Sequence, residues 1–87
     1  MKLRVLVVDD EPLARERLSH LVEELPEVEL AGVAASGEEA LLLAGRLKPE
    51  VVLLDIRMPG MDGLEVAHHL ARMPEPPAVI FTTAFEQ

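Results

Sequence analysis

The sequence predicts an α/β fold in which four strands of a parallel sheet alternate with helices in the order βαβαβαβ. Four short apolar runs rich in Val, Leu and Ile are typical of strands in a sheet covered by helices: Leu3–Val8, Val28–Ala34, Val51–Asp55 and Ala78–Thr82. Stretches with apolar residues at helical spacing separate these runs. Strands alternating with helices favour right-handed crossovers, which place helices on both faces of the sheet.

Length and composition narrow the classes of function. The 87 residues suffice for one domain, 1–87, and 16 acidic against 8 basic residues give a formal charge of -8. Because this charge repels nucleic acid, we expect no direct DNA binding by this chain. The chain has no cysteine and no apolar run near the roughly 20 residues that span a bilayer. Its early charges do not fit a signal peptide, so we expect a soluble, cytoplasmic protein without membrane contact.

The first helix is predicted between Pro12 and Pro26, because proline suits the first turn of a helix and stops one at its end. Its apolar stripe comprises Ala14, Leu18, Leu21, Val22 and Leu25. Gly32 lies inside the second strand and makes the extent of that strand hard to fix from sequence.

The other two helices begin with capping residues. Ser36 and Glu39 match a capping box, in which each side chain satisfies a free backbone donor of the first turn. Asp62 and Glu65 form a similar start for the third helix, which predicts a structural role for Asp62. The predicted buried residues are Ala40, Leu43, Ala44 and Leu47 in the second helix, and Gly63, Val66, Ala67 and Leu70 in the third.

Polar residues follow three of the four strands. Asp9 and Asp10 come after the first, Asp55 ends the third, and Thr82 and Thr83 come at the end of the fourth. Parallel strands bring these ends to one edge of the sheet, where ligands of open α/β sheets bind. Clustered carboxylates repel one another unless a hard cation compensates them, and Mg²⁺ is the cation that takes carboxylates together with phosphate oxygens. The sequence therefore predicts a Mg²⁺ site that receives a phosphoryl group.

Three motifs carry a family resemblance: Leu6–Pro12 (LVVDDEP), Leu54–Gly63 (LDIRMPGMDG) and Phe81–Ala84 (FTTA). In this order they resemble the receiver domain of two-component response regulators, which implies the flavodoxin-like (CheY-like) fold. Residues 4–17 and the ending Phe-Thr-Thr-Ala-Phe are most similar to receivers of LytTR-type transcriptional regulators.

The resemblance also implies roles for individual residues. Asp55 is similar to the family's phosphoacceptor, which takes a phosphoryl group from a sensor histidine kinase. Asp10 and Asp55, with the backbone carbonyl of Arg57, match the Mg²⁺ ligands, and Asp9 would act through a metal-bound water. Thr83 is similar to the switch hydroxyl that holds a phosphoryl oxygen, whereas Thr82 is assigned to the strand.

A complete receiver of the family resembles this sequence but continues beyond it through a further helix, a fifth strand with a Lys-Pro pair and a last helix. The sequence ends at Gln87, truncated after the fourth strand, and includes neither these elements nor an output domain. Without that Lys, the resemblance implies slower phosphorylation or a less well held product. The fourth strand, residues 78–83, would then be an exposed edge, which predicts self-association through it.

Two other functions compete with the receiver. The first is a phosphatase of the haloacid-dehalogenase type, a family whose nucleophile lies in an Asp-x-Asp motif. Here Arg57, and not an aspartate, stands two residues after Asp55, which disfavours this class. A truncated receiver acting as a phosphorylation-independent interaction or dimerisation module remains open as the alternative. Nucleotide-binding glycine motifs are absent from the sequence. We expect no turnover enzyme, because Asp55 would be consumed and regenerated only by hydrolysis.

Overall fold

The computed structural model describes residues 1–82 and contains one sheet of four parallel strands in the order β2-β1-β3-β4. This confirms the predicted fold class and order of elements. The elements are β1 Leu3–Val8, α1 Pro12–Glu23, β2 Val28–Ala34, α2 Gly37–Leu47, β3 Val51–Asp55, α3 Gly63–Ala71 and β4 Ala78–Thr82.

Helices cover both faces of the sheet, and successive strand residues point to opposite sides, so the central strands pack against helices on both faces. On one face, Leu6, Val52 and Leu54 of β1 and β3 pack with residues of α2 and α3, including the fully buried Val66 and Leu70. On the other face, the buried residues Val5, Val7 and Val22 form the core beneath α1. The central strands therefore have apolar neighbours on both sides, which fixes their carboxyl ends in space.

Side-chain caps begin two of the helices where the sequence predicts them. Ser36 Oγ accepts a hydrogen bond from the N–H of Glu39 at 3.1 Å, and Glu39 Oε1 accepts one from the N–H of Ala35 at 2.8 Å. Asp62 Oδ1 accepts from the N–H of Glu65 at 2.9 Å. These bonds satisfy donors that have no partner within the helix, which supports the predicted capping role of Asp62.

The first helix buries fewer leucines than its sequence pattern predicts. Leu21 is 59% exposed and Leu25, beyond the end of the helix, is 52% exposed. The helix packs on the sheet through Leu18 and Val22. Leu21 lies about 100° round the helix axis from Val22, so its side chain points away from that contact.

The second strand contains an irregularity at the glycine. Val5 pairs with Leu30 but Leu6 pairs with Gly32, so Ala31 is an extra residue in β2. A Cβ on Gly32 would lie 2.7 Å from Leu47 Cδ1, and the bare backbone lets α2 pack closely there.

The fourth strand lies at the edge of the sheet within residues 1–82, as predicted. Ile80 is 53% exposed and Phe81 is 39% exposed. Among the helices of these residues, none has the length and apolarity needed to cross a bilayer.

Candidate functional site

The carboxyl ends of β1 and β3 bring three acidic side chains together. The two strands are neighbours, with Val8 paired to Leu54, so Asp9 and Asp10 follow one strand where Asp55 ends the other. One carboxylate oxygen from each of the three lies within 4.8 Å of the others. The structure thus gathers the three predicted acids into one cluster at the carboxyl ends of the central strands.

Asp9 is held by its backbone and by its side chain. Its N–H donates to the carbonyl of Ala34 at 3.1 Å and thereby extends the contact between β1 and β2. Its Oδ1 accepts from the N–H of Glu11 at 2.9 Å, and its carbonyl accepts from Nη1 of Arg15 at 2.9 Å. Asp9 is only 7% exposed, which makes it the most buried of the three acids.

Asp55 is more accessible and is fixed by the turn that follows it. The N–H of Arg57 donates to Asp55 Oδ1 at 3.2 Å, and the N–H of Gly63 donates to the carbonyl of Ile56 at 2.7 Å. The start of α3 therefore lies directly against the end of β3. Because both elements are anchored in the core, the Asp55 carboxylate is held in place, and the residue is only partly buried.

The electrostatics of the cluster act on Asp55. Burial raises the pKa of Asp55 above its ordinary value of 3.8, and the charges of Asp9 and Asp10 raise the pKa further. The hydrogen bond from the Arg57 N–H lowers this pKa and offsets part of the effect. A group of carboxylates that destabilise each other's charges is suited to a hard divalent cation, which would remove the repulsion.

The fourth strand brings the hydroxyl of Thr82 next to the end of β3. Thr82 pairs with Asp55 across β3 and β4, and its Oγ1 is buried without a hydrogen-bond partner in the described part of the chain. Thr83, the predicted switch hydroxyl, lies outside the described residues. The side chain of Arg57 is exposed, while its N–H is used by Asp55.

A cavity of about 650 Å³ lies at the opposite end of the sheet. The end of α2 and the loop before β4 line it, with Pro49, Met73 and Pro77 among the lining residues. None of the three carboxylates lines it, so this cavity is separate from the acidic cluster.

Sequence reasoning missed two residues that shape the cluster, Arg15 and Gly63. A cation in the first turn of a helix is unfavourable beside the positive end of the helix dipole, and this signal could have drawn attention to Arg15. A Cβ on Gly63 would lie 2.7 Å from Ile56 Cα and closer still to the carbonyl oxygen of Asp55. Gly63 was predicted to be buried, but its contact with the backbone of the nucleophile candidate depends on how α3 approaches β3.

The fold and the site together define a class of protein: an open parallel α/β sheet with an acidic pocket at the carboxyl edge of its central strands. The family model of the response regulator receiver domain matches residues 5–87. The chain belongs to this family, as its motifs predict.

Individual relatives agree with this assignment. The chain is 58% identical over 86 residues to the Positive alginate biosynthesis regulatory protein of Pseudomonas aeruginosa, covering 98% of this chain and 35% of the relative. It is 47% identical over 85 residues to the Sensory transduction protein LytT of Bacillus anthracis, covering 98% and 35%. The similarity to LytT agrees with the predicted LytTR-type subfamily. The chain therefore spans about a third of the length of these relatives.

A solved structure is similar over nearly the whole chain. The signal receiver domain of the NarL response regulator from Mycobacterium tuberculosis matches with a TM-score of 0.90 and 40% identity, covering 99% of this chain and 69% of that one. The fold of this chain is thus that of a receiver domain.

Proposed function

We propose that this chain is the phosphoacceptor of a two-component system and that Asp55 takes a phosphoryl group from a sensor histidine kinase. The observation that carries the proposal is the placement of Asp55 at the end of a buried strand, with oxygens of Asp9 and Asp10 within 4.8 Å. Membership of the receiver family supports it, because receivers accept phosphoryl groups from such kinases. The phosphorylated chain would then regulate an output, which we propose to be transcription.

The donor set fits Mg²⁺. The cluster offers three carboxylate oxygens close together, and burial together with the charges of Asp9 and Asp10 raises the pKa of Asp55. We assign Asp10, Asp55 and the backbone carbonyl of Arg57 as ligands, with Asp9 acting through a bound water. When bound, Mg²⁺ supplies positive charge that stabilises the phosphoryl oxygens during transfer.

The residues of the chain perform the other tasks. A carboxylate oxygen of Asp55 attacks phosphorus, the phosphorus–nitrogen bond to the kinase histidine breaks, and the electron pair of that bond leaves with the imidazole. The hydrogen bond from the Arg57 N–H to Oδ1 orients the carboxylate, because the bonded oxygen is restrained while the other is free to react. We propose that the hydroxyl of Thr83 donates a hydrogen bond to a phosphoryl oxygen after transfer.

Asp55 is a consumed acceptor in this proposal. The acyl phosphate regenerates the carboxylate only when water hydrolyses it, so the chain does not turn over as an enzyme on a separate substrate. The net charge of -8 also favours an output reached through other parts of a protein and not through DNA contact by this chain.

The test is the intact mass of the chain after incubation with Mg²⁺ and acetyl phosphate. We expect one added phosphoryl group on the wild type and none on Asp55→Asn. The matched control is Asp62→Asn, which changes an exposed acid outside the cluster and retains an oxygen for the helix cap. Absence of phosphate on a wild-type chain that circular dichroism shows to be folded would refute the proposal.

A second candidate function rests on a separate observation, the exposed apolar side chains of β4. Ile80 and Phe81 lie on an edge strand of the described residues, and such edges pair with other chains. We propose self-association through residues 78–83 as a phosphorylation-independent function.

Light scattering over a dilution series tests self-association. A dimer should dissociate on dilution, and Ile80→Lys should make the chain monomeric at all concentrations. Leu64→Lys is the matched control, because Leu64 is 58% exposed but lies on α3 and not at the edge. A wild type that remains monomeric at high concentration would rule this function out.

A further inference from the structure

Arg15 makes a contact for which the proposed chemistry has no role. From the first turns of α1, its Nη1 donates to the carbonyl oxygen of Asp9 at 2.9 Å. The backbone of Arg15 is itself held, since its N–H donates to the carbonyl of Glu11 at 2.9 Å and its carbonyl accepts from Ser19 Oγ at 2.8 Å. The side chain thus ties the helix to the end of β1.

The oxygen that Arg15 contacts belongs to the peptide unit that joins Asp9 to Asp10. This unit is planar, so the direction of the Asp9 carbonyl also sets the position of the Asp10 N and Cα atoms. The N–H of Asp9 is bonded to Ala34 and its carboxylate to the N–H of Glu11. The guanidinium of Arg15 bonds the Asp9 carbonyl, the other polar backbone group of Asp9. The orientation of Asp10 depends on this bond.

Charge alone does not explain an arginine at this place. A cation is unfavourable near the amino end of a helix, and it would also repel a divalent cation bound by the neighbouring carboxylates. The hydrogen bond to the Asp9 carbonyl is the contact that the structure shows for this guanidinium. Three acidic side chains within 4.8 Å repel one another, and a turn without this anchor would relax so that they separate.

We infer that Arg15 is a positioning residue that holds Asp10 ready for a divalent cation through the Asp9 carbonyl. This role of Arg15 rests on the proposed function, because the divalent-cation site is part of that proposal. A preorganised turn binds more tightly because the cost of ordering it has been met before the cation arrives.

The test compares Mg²⁺ affinity by calorimetry in three variants. Arg15→Met removes the donors but keeps an apolar stem, Arg15→Lys keeps a charge and a donor, and Arg17→Met removes the same charge from an exposed position on the same helix. We expect Arg15→Met to bind Mg²⁺ roughly two- to tenfold more weakly, the range that one hydrogen bond typically contributes. Arg15→Lys should recover part of this loss, and Arg17→Met should bind as the wild type does or slightly more tightly.

The sign of the effect decides the question. If Arg15 acts only through its charge, removing it should strengthen Mg²⁺ binding, and equal or tighter binding by Arg15→Met would overturn the inference. Circular dichroism checks folding, and Arg15→Lys carries the comparison if Arg15→Met does not fold. In that comparison, affinity at or above that of the wild type would overturn the inference.

A readout without metal or phosphate separates this inference from the proposed function. The amide of Glu11 donates to Asp9 Oδ1, so its hydrogen exchange reports on the same turn. Exchange should accelerate in Arg15→Met and stay unchanged in Arg17→Met, and unchanged exchange in both would overturn the anchoring role. A wild type that binds Mg²⁺ but accepts no phosphate would instead refute only the phosphoacceptor proposal.

Discussion

The close approach of Gly63 to β3 gives a direct test of how the fold positions Asp55. The perturbation is Gly63→Ala, which adds one methyl group at the start of α3. Its Cβ would lie 2.7 Å from Ile56 Cα and 2.9 Å from the carbonyl carbon of Asp55. These are backbone atoms of the strand end, so no flexible side chain can move aside to admit the methyl group.

The magnitude follows from these distances. Ordinary van der Waals contact begins near 3.4 Å, so α3 and the end of β3 must separate by more than roughly 0.7 Å, because the carbonyl oxygen of Asp55 would lie closer still than Ile56 Cα. Such a separation strains the 2.7 Å hydrogen bond from the Gly63 N–H to Ile56. Overpacking of this kind costs about 1–3 kcal/mol, a large share of the roughly 5–15 kcal/mol by which a domain is stable. Because the displaced backbone carries the nucleophile, phosphorylation of Asp55 should also slow.

The assay is urea unfolding followed by circular dichroism at a helical wavelength, since the chain has no Trp or Tyr. Gly45→Ala is the matched control, because Gly45 lies in α2 and a Cβ there meets nothing within 4 Å. We expect Gly63→Ala to lower the free energy of unfolding by about 1–3 kcal/mol and Gly45→Ala to raise it by about 0.5–1 kcal/mol. Equal effects of the two substitutions, or an unchanged Gly63→Ala, would refute the packing argument.

Three further predictions concern the acidic cluster and its surroundings. Because the pKa of Asp55 is raised in the folded state, its charge destabilises the fold above that pKa, and this cost disappears as pH falls toward the ordinary value of 3.8. Metal-free Asp55→Asn should therefore be more stable than wild type at pH 7 and approach it near pH 4 in urea titrations; a constant difference would contradict this origin. Mg²⁺ at a hundred times its dissociation constant should stabilise the wild type by about 2.7 kcal/mol, and a thermal shift of the same size in Asp10→Asn would exclude Asp10 as a ligand. Asp62→Ala should lose about 1 kcal/mol of unfolding free energy with its cap, while Asp62→Asn stays close to wild type and both keep phosphate uptake; loss of uptake in Asp62→Asn would assign Asp62 to the chemistry instead.

Much of the site could be predicted because its positions follow from local patterns. Four apolar runs and their caps fix where strands and helices begin, and these patterns depend on neighbours only a few residues apart. Once the strands are parallel, Asp9, Asp10 and Asp55 must lie at one edge, because each ends or follows its strand. Thr83 was placed by the same reasoning and remains a prediction, since it lies outside the described residues.

Helical spacing was less reliable for burial. The helical pattern predicted between Pro12 and Pro26 includes Leu21 and Leu25, yet both are more than half exposed. An apolar residue at the right spacing can be buried only if another element covers that side of the helix. Sequence periodicity does not specify that neighbour.

The sequence by itself determined the order of elements, because periodicity and capping act within each segment. The alternation of strands with helices then implied a parallel sheet with the acids at its carboxyl end. Only the tertiary structure decided how those acids are held. The hydrogen bond from Arg15 to the Asp9 carbonyl, the contact of Gly63 with β3 and the raised pKa of Asp55 each join residues of separate elements or depend on burial. Distances of this kind are set by how helices pack on the sheet, which depends on the whole core at once.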